Sequence, residues 1–94
     1  MPAKAKTLAD FRSVHDRNVV IPQKINNALV AMFKEGAENW EYEVDFVRRA
    51  GISQTDLGQF RAKFEDNIVN VGSERNPKRV WFADKKAATK ARGE

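Results

Sequence analysis

Cysteine is absent from the chain. That excludes a disulfide scaffold, thiol catalysis and cysteine-based zinc sites, and it fits the reducing cytoplasm in which we expect the protein to work. Long apolar runs are also missing: no stretch approaches the roughly 18 apolar residues of a membrane span. No apolar segment follows the early lysines Lys4 and Lys6, as a secretory signal would require. Neither membrane association nor secretion is therefore expected. Glycine-rich phosphate loops are lacking too, since Gly51 and Gly58 have no Lys-Ser/Thr ending behind them. Histidine occurs once. His15 stands beside Asp16, a pair able to do acid–base work, but no nucleophile or second base accompanies it, so a surface or helix-end histidine is the preferred reading. For a metal, only carboxylates remain. Glu35, Glu38, Glu41 and Asp45 have helical gaps, whereas a hard cation wants a loop of converging oxygens. Nothing joins nucleophile, base and oxyanion stabiliser. The chain is read as a non-enzyme without metal or cofactor.

What is present is enough for one domain. The chain has 94 residues, 41% of them hydrophobic, which suits one globular unit and is too short for two. A core this small depends on a few large side chains, and the candidates are Phe11, Phe33, Trp40, Phe46, Phe60, Phe64, Trp81 and Phe82. The net charge is +4. Its distribution says more than its size: between Arg75 and Arg92 seven basic residues face only Asp84. Such a block attracts phosphate and speeds encounter with it.

Residues 1 to 6 read as a loose basic leader. Thr7 is placed to cap a short helix through Leu8, Phe11 and Val14, interrupted at Arg17 and Asn18. Val19, Val20 and Ile21 form an apolar run, and Pro22 suits the first turn of a new helix. That helix, to about Lys34, puts Ile25, Leu29, Met32 and Phe33 on one side, with Gly36 as its stop. The next helix is predicted from about Glu41 to Ala50, with Val44, Phe46, Val47 and Ala50 mostly inward and Gly51 as a left-handed cap. Ser53 can cap a further helix, with Asp56 at the acid position of a capping box. Leu57, Phe60, Phe64 and Ile68 recur along it. Residues 67 to 71 are rich in β-branched side chains, residues 72 to 78 in turn formers, and 79 to 82 read as a second strand. The pair predicts a hairpin with a long charged tip. Residues 84 to 94 are rich in lysine and alanine without an apolar anchor, and read as a basic tail or frayed helix.

The informative segment is Asp45 to Glu65. Helix, short glycine-containing turn and helix is the helix-turn-helix pattern, and a hairpin with a basic tip after it defines the winged variety. The fold predicted is therefore α+β and mainly helical: a winged helix-turn-helix-like domain over residues 7 to 83, with three to four helices and a C-terminal β-hairpin. The second helix of the motif offers Gln54, Thr55, Gln59, Ala62 and Lys63 opposite its apolar face. Glutamine can bond adenine twice, and threonine can donate, accept or touch a thymine methyl. Arg61 and Lys63 are candidates for phosphate, as are Arg75, Lys78 and Arg79 on the hairpin and Lys85 and Lys86 behind it. Gly58 in mid-helix costs helix propensity, which points to close packing or to close approach of a partner. Trp40 and Trp81 are read as core, Trp81 being the better candidate for base stacking because Lys78 and Arg79 stand near it.

Three blocks carry a resemblance: Trp40-Glu41-Tyr42-Glu43 with Asp45-Phe46, Ala50-Gly51-Ile52-Ser53 with Thr55-Asp56-Leu57, and Arg79-Val80-Trp81-Phe82. They look like small phage-encoded proteins, and residues 22 to 83 resemble winged helix-turn-helix domains. The resemblance implies a DNA-binding module in a regulatory, packaging or replication-accessory role in the host cytoplasm. Duplex is favoured over single-stranded DNA, and a homodimer on two half-sites is allowed. A full winged helix often has a strand between its first helices, for which Tyr42 to Val44 is the only short candidate. The alternative is a protein-interaction module that binds a host or phage protein through the acidic segment 35 to 45, with Glu38, Glu41 and Glu43 at the interface.

Overall fold

The computed structural model describes the backbone from Pro2 to Gly93 and the side chains from Arg17 to Gly93. The side chains of Leu8, Phe11, Val14, His15 and Asp16 lie outside the described residues, so the expectations placed on them have no structural counterpart here.

The chain opens with α1 (Pro2–Glu35), a single 34-residue helix with Pro22 inside it. This corrects three expectations: the loose leader, the break at Arg17 and Asn18, and the new helix at Pro22. Proline removes one backbone hydrogen bond and crowds the carbonyl four residues back, a local cost. Continuity keeps Ile21 in line with Ile25, Ala28, Leu29 and Met32, all buried, and burial of that stripe outweighs one lost bond. Phe33 lies one step beyond the stripe and is 49% exposed rather than inward.

A turn at Gly36 leads to β1 (Trp40–Tyr42), then α2 (Glu43–Ala50) and α3 (Gln54–Phe60). A 3₁₀ turn, Arg61–Asn67, replaces the rest of the long helix expected here, and Phe64 leaves helical geometry within it. The hairpin follows as β2 (Ile68–Gly72) and β3 (Pro77–Phe82), and α4 (Lys85–Ala91) closes the domain. The three strands form one antiparallel sheet in the order β1-β3-β2. Trp81 of β3 stands opposite Glu41 on one side and Ile68 on the other. The short strand between the first helices thus exists, two residues earlier than its sequence candidate, and it pairs with the far arm of the hairpin. The elements make a mainly helical α+β domain with a small three-stranded antiparallel sheet and a C-terminal hairpin, as expected.

Alternation along the strands divides the sheet's residues. One face carries Trp81 and Ile68 against the helices, where Trp81 stacks on Phe46 with ring centroids 4.4 Å apart and planes 2° from parallel. Ile25, Met32, Phe46, Leu57 and Trp81 are fully buried there. The other face carries Val69 and Val80, covered by Ala88 of α4. That corrects the reading of residues 84 to 94 as a tail without an anchor. Alanine is small enough to let the helix backbone approach the sheet, and Arg92 fastens its end by donating to the carbonyls of Glu65 and Ile68. Trp40, expected in the core, is 46% exposed at the edge of this outer face, and Val44, expected inward, is 52% exposed. Val44 sits off the face of α2 that carries Phe46 and Val47.

Candidate nucleic-acid interface

The turn between α2 and α3 is built from local bonds. Gly51 is left-handed at φ 73°, ψ 37°. Its N–H donates to the Arg48 carbonyl, and the Ile52 N–H donates to that of Val47. This is the Schellman closure, which a residue with a Cβ adopts only at a cost. Ile52 then packs on the core, which turns the chain sharply. Ser53 starts α3, its Oγ accepting from the Asp56 N–H at 3.0 Å. The Asp56 carboxylate does not complete a capping box. It pairs instead with Arg17 of α1, whose guanidinium also reaches Gln59.

On α3, Leu57 and Phe60 are buried, while Gln54, Thr55, Gly58 and Gln59 are exposed; Ala62 and Lys63, expected on the same helix, are exposed in the 3₁₀ turn that follows it, where Phe64 is half-buried. A Cβ built on Gly58 meets nothing within 4 Å. Close packing therefore does not account for this glycine.

The hairpin tip is shorter than expected, Ser73 to Asn76, closed by the Asn76 N–H donating to the carbonyl and the Oγ of Ser73. Gly72 precedes it at φ 98°, and a Cβ there would stand 2.6 Å from the Asn76 carbonyl oxygen. Arg75 sits at the tip. Lys78 and Arg79 lie on β3 and face opposite sides of the sheet. Arg79 shares the face of Trp81 and lines two depressions that separate the hairpin from α3. One, of about 650 Å³, is bordered by Gly58, Arg61, Ala62, Asn70 and Arg92 as well as the acids Glu65 and Asp66. The other, of about 390 Å³, is bordered by Tyr42, Val44, Gln54, Pro77 and Lys78. The start of α3 and the hairpin thus form one concave surface with Arg79 at its middle.

The remaining predicted residues fall elsewhere. Arg61 is half-buried and engages both carboxylate oxygens of Glu43, at 3.2 and 2.7 Å. Glu43 also accepts from the Trp81 indole at 3.0 Å. Arg61 is thereby committed to bracing α2 and the sheet, and Trp81, fully buried, offers no stacking surface. Lys63 and Lys85 border a separate groove beside Leu29, Val30 and Phe33, with Lys85 3.9 Å from Asp66. Lys86 is exposed on α4, beside Asp66 and Lys90.

The acidic segment is largely spent inside the fold. Arg49 binds Glu41 through Nε and one terminal nitrogen, and Glu35 through both terminal nitrogens, at 2.6 to 3.0 Å. Its hydrogen bonds hold the Glu35 carboxyl below the ordinary glutamate range, and Glu41 and Glu35 together raise the Arg49 guanidinium. Of the three residues proposed as a protein interface, Glu41 and Glu43 are turned to these partners. Glu38 alone stands well exposed, 3.8 Å from Lys90.

Among the described residues there is no group of three or more side chains able to hold a metal, and no helix is long and apolar enough to cross a membrane. Sequence reasoning missed Tyr42, Asn70 and Pro77 as parts of the concave surface. Tyr42 carried a weak signal, as the first residue of the short strand candidate between the first helices. Compared with family models, with curated proteins and with solved structures, the chain matches none.

Proposed function

We propose that this domain is a non-enzymatic module that binds duplex DNA, with α3 in the major groove and the hairpin along the flanking backbone. One observation carries the reading: Gln54 and Gly58 of α3 border the same concave surface as Arg79 of the hairpin, and Lys78 borders its smaller depression from the opposite face of the sheet. On that surface Arg79 and Lys78 have no carboxylate within salt-bridge distance among the described residues. A helix fits the width of a major groove, and Gln54, Thr55 and Gln59 are side chains able to read base edges there. Arg75, Lys78 and Arg79 are positioned for phosphates, which fix register without reading sequence. Three carboxylates of the acidic segment are neutralised by Arg49 and Arg61, so they do not oppose a polyanion. The role we propose is regulatory, packaging or replication-accessory, in a phage setting.

Anisotropy titration of duplex DNA at two salt concentrations tests the reading. Affinity should fall steeply with salt. Arg79→Ala and Lys78→Ala should weaken binding on every sequence and each reduce the salt slope by about 1. Gln54→Ala and Gln59→Ala should relax sequence choice by about 1–3 kcal/mol at one position. Absence of salt-dependent binding to any duplex would refute the proposal.

A further inference from the structure

The smaller depression differs from the rest of the concave surface. Its lining combines the apolar Tyr42, Val44 and Pro77 with the polar and cationic Gln54, Lys78 and Arg79. Tyr42 and Val44 are 43% and 52% exposed, so both are accessible to a ligand. The one acid on its border, Glu43, is held by Arg61 and Trp81 and leaves the cations unopposed. The Tyr42 ring already attracts a cation, with the Lys78 ammonium 5.8 Å from its centroid, and Trp40 meets it edge to face at 5.2 Å. At about 390 Å³ the depression falls within the size range of small-molecule sites, about 300–1,000 Å³.

From this we infer that the depression binds an unpaired nucleobase at the end of a DNA strand, stacked on Tyr42, with Lys78 and Arg79 on the adjoining phosphates. The inference rests on the DNA-binding reading and adds a preference for DNA with a single-stranded end. Apolar and cationic lining match the two halves of a nucleotide, a flat ring and an anion. A cation over an exposed ring is weakly held, so Lys78 gives way to the base and turns to its phosphate. The base comes from a strand end rather than from within a duplex. Extruding a paired base costs about as much as one exposed stack returns, whereas an overhang base is already unpaired. Stacking on an aromatic side chain is worth roughly fivefold to a hundredfold in affinity per base.

The test compares three DNAs of the same duplex sequence: blunt, with a short overhang, and with an overhang of abasic residues that keeps the phosphates and lacks the bases. The base-bearing overhang should bind at least about fivefold tighter than the abasic one. Tyr42→Ala should erase that difference between the base-bearing and the abasic overhang. Tyr42→Phe should retain the difference, because stacking does not need the hydroxyl. Equal binding of the two overhangs, or a preference that survives Tyr42→Ala, overturns the inference while intact blunt binding leaves the duplex reading standing. Failure of all three DNAs to bind overturns both.

Discussion

Replacing Gly58 by alanine should make the domain more stable. The residue lies in the interior of α3 with an ordinary negative φ, since the glycines at positive φ are Gly51, Gly72 and Gly93. A Cβ there enters open space. Glycine carries more conformational freedom in the unfolded chain than alanine does, and removing it without native strain stabilises by about 0.4–1 kcal/mol, in line with helix propensity. For a domain of this size that is a rise in Tm of roughly 2–8 °C. Urea unfolding followed by tryptophan fluorescence reads the change, because Trp81 is buried and Trp40 is already exposed. A natural sequence that forgoes this gain at an exposed site needs another reason for glycine, and close approach of DNA supplies one. Gly58→Leu should therefore keep the fold, gain a few tenths of a kcal/mol in stability, and lose about tenfold or more in duplex affinity, ~1.4 kcal/mol. A fall in Tm for Gly58→Ala would refute the packing argument. A stable Gly58→Leu variant with unchanged DNA affinity would remove the exposed face of α3 from the interface.

Gly72→Ala should act in the opposite sense, because its Cβ meets the Asn76 carbonyl oxygen at 2.6 Å and φ is 98°. A loss of at least about 1–2 kcal/mol is expected, and hydrogen exchange should localise it to β2 and β3; unchanged protection would contradict the geometry. Ala88→Asp places a carboxylate against Val69 and Val80, so α4 should undock. Its amides should then exchange freely while the protein loses about 1–3 kcal/mol, whereas persistent protection in α4 would show that its docking does not depend on Ala88. Glu35 has a lowered pKa caused first by its hydrogen bonds to Arg49. A carboxyl depressed by folding contributes stability above its unfolded pKa, about 4.3, and loses that contribution as pH falls through the folded value. An NMR titration should place the Glu35 midpoint below the usual range, and Arg49→Leu should return it there; a normal midpoint in the unsubstituted protein would refute the ion pair.

Much of the segment from α2 to the hairpin was legible in the sequence. Gly51 and Ser53 end one helix and start the next through bonds that span no more than five residues, so their signals do not depend on the rest of the fold. Leu57 and Phe60 announced the buried face of α3, and with it the exposed positions Gln54, Thr55 and Gln59. The β-branched run at 68 to 71 and the turn formers behind it marked the hairpin. Less visible was the position of Arg79. It reaches the concave surface because β3 pairs with both neighbours in a fixed register, and a slip of one residue would exchange Arg79 with Lys78 between the two faces.

The sequence by itself determined the local devices: caps, the glycine turn, the α3 period, the hairpin, and the excess of positive charge toward the C-terminal end. These depend on backbone preferences and on neighbours within a turn or two. Tertiary structure alone decided the rest. It carried α1 through Pro22, because a stripe from Ile21 to Met32 finds a core to cover. It made a strand of Trp40–Tyr42 by giving those three residues the free edge of β3 as a partner. It buried Trp81 and left Trp40 outside, and it docked α4 through one alanine. It also joined Arg61 to Glu43 and Arg49 to Glu35 and Glu41. Each of these outcomes needs a surface assembled from residues distant in the chain, and a period or a cap reports only on residues that are near.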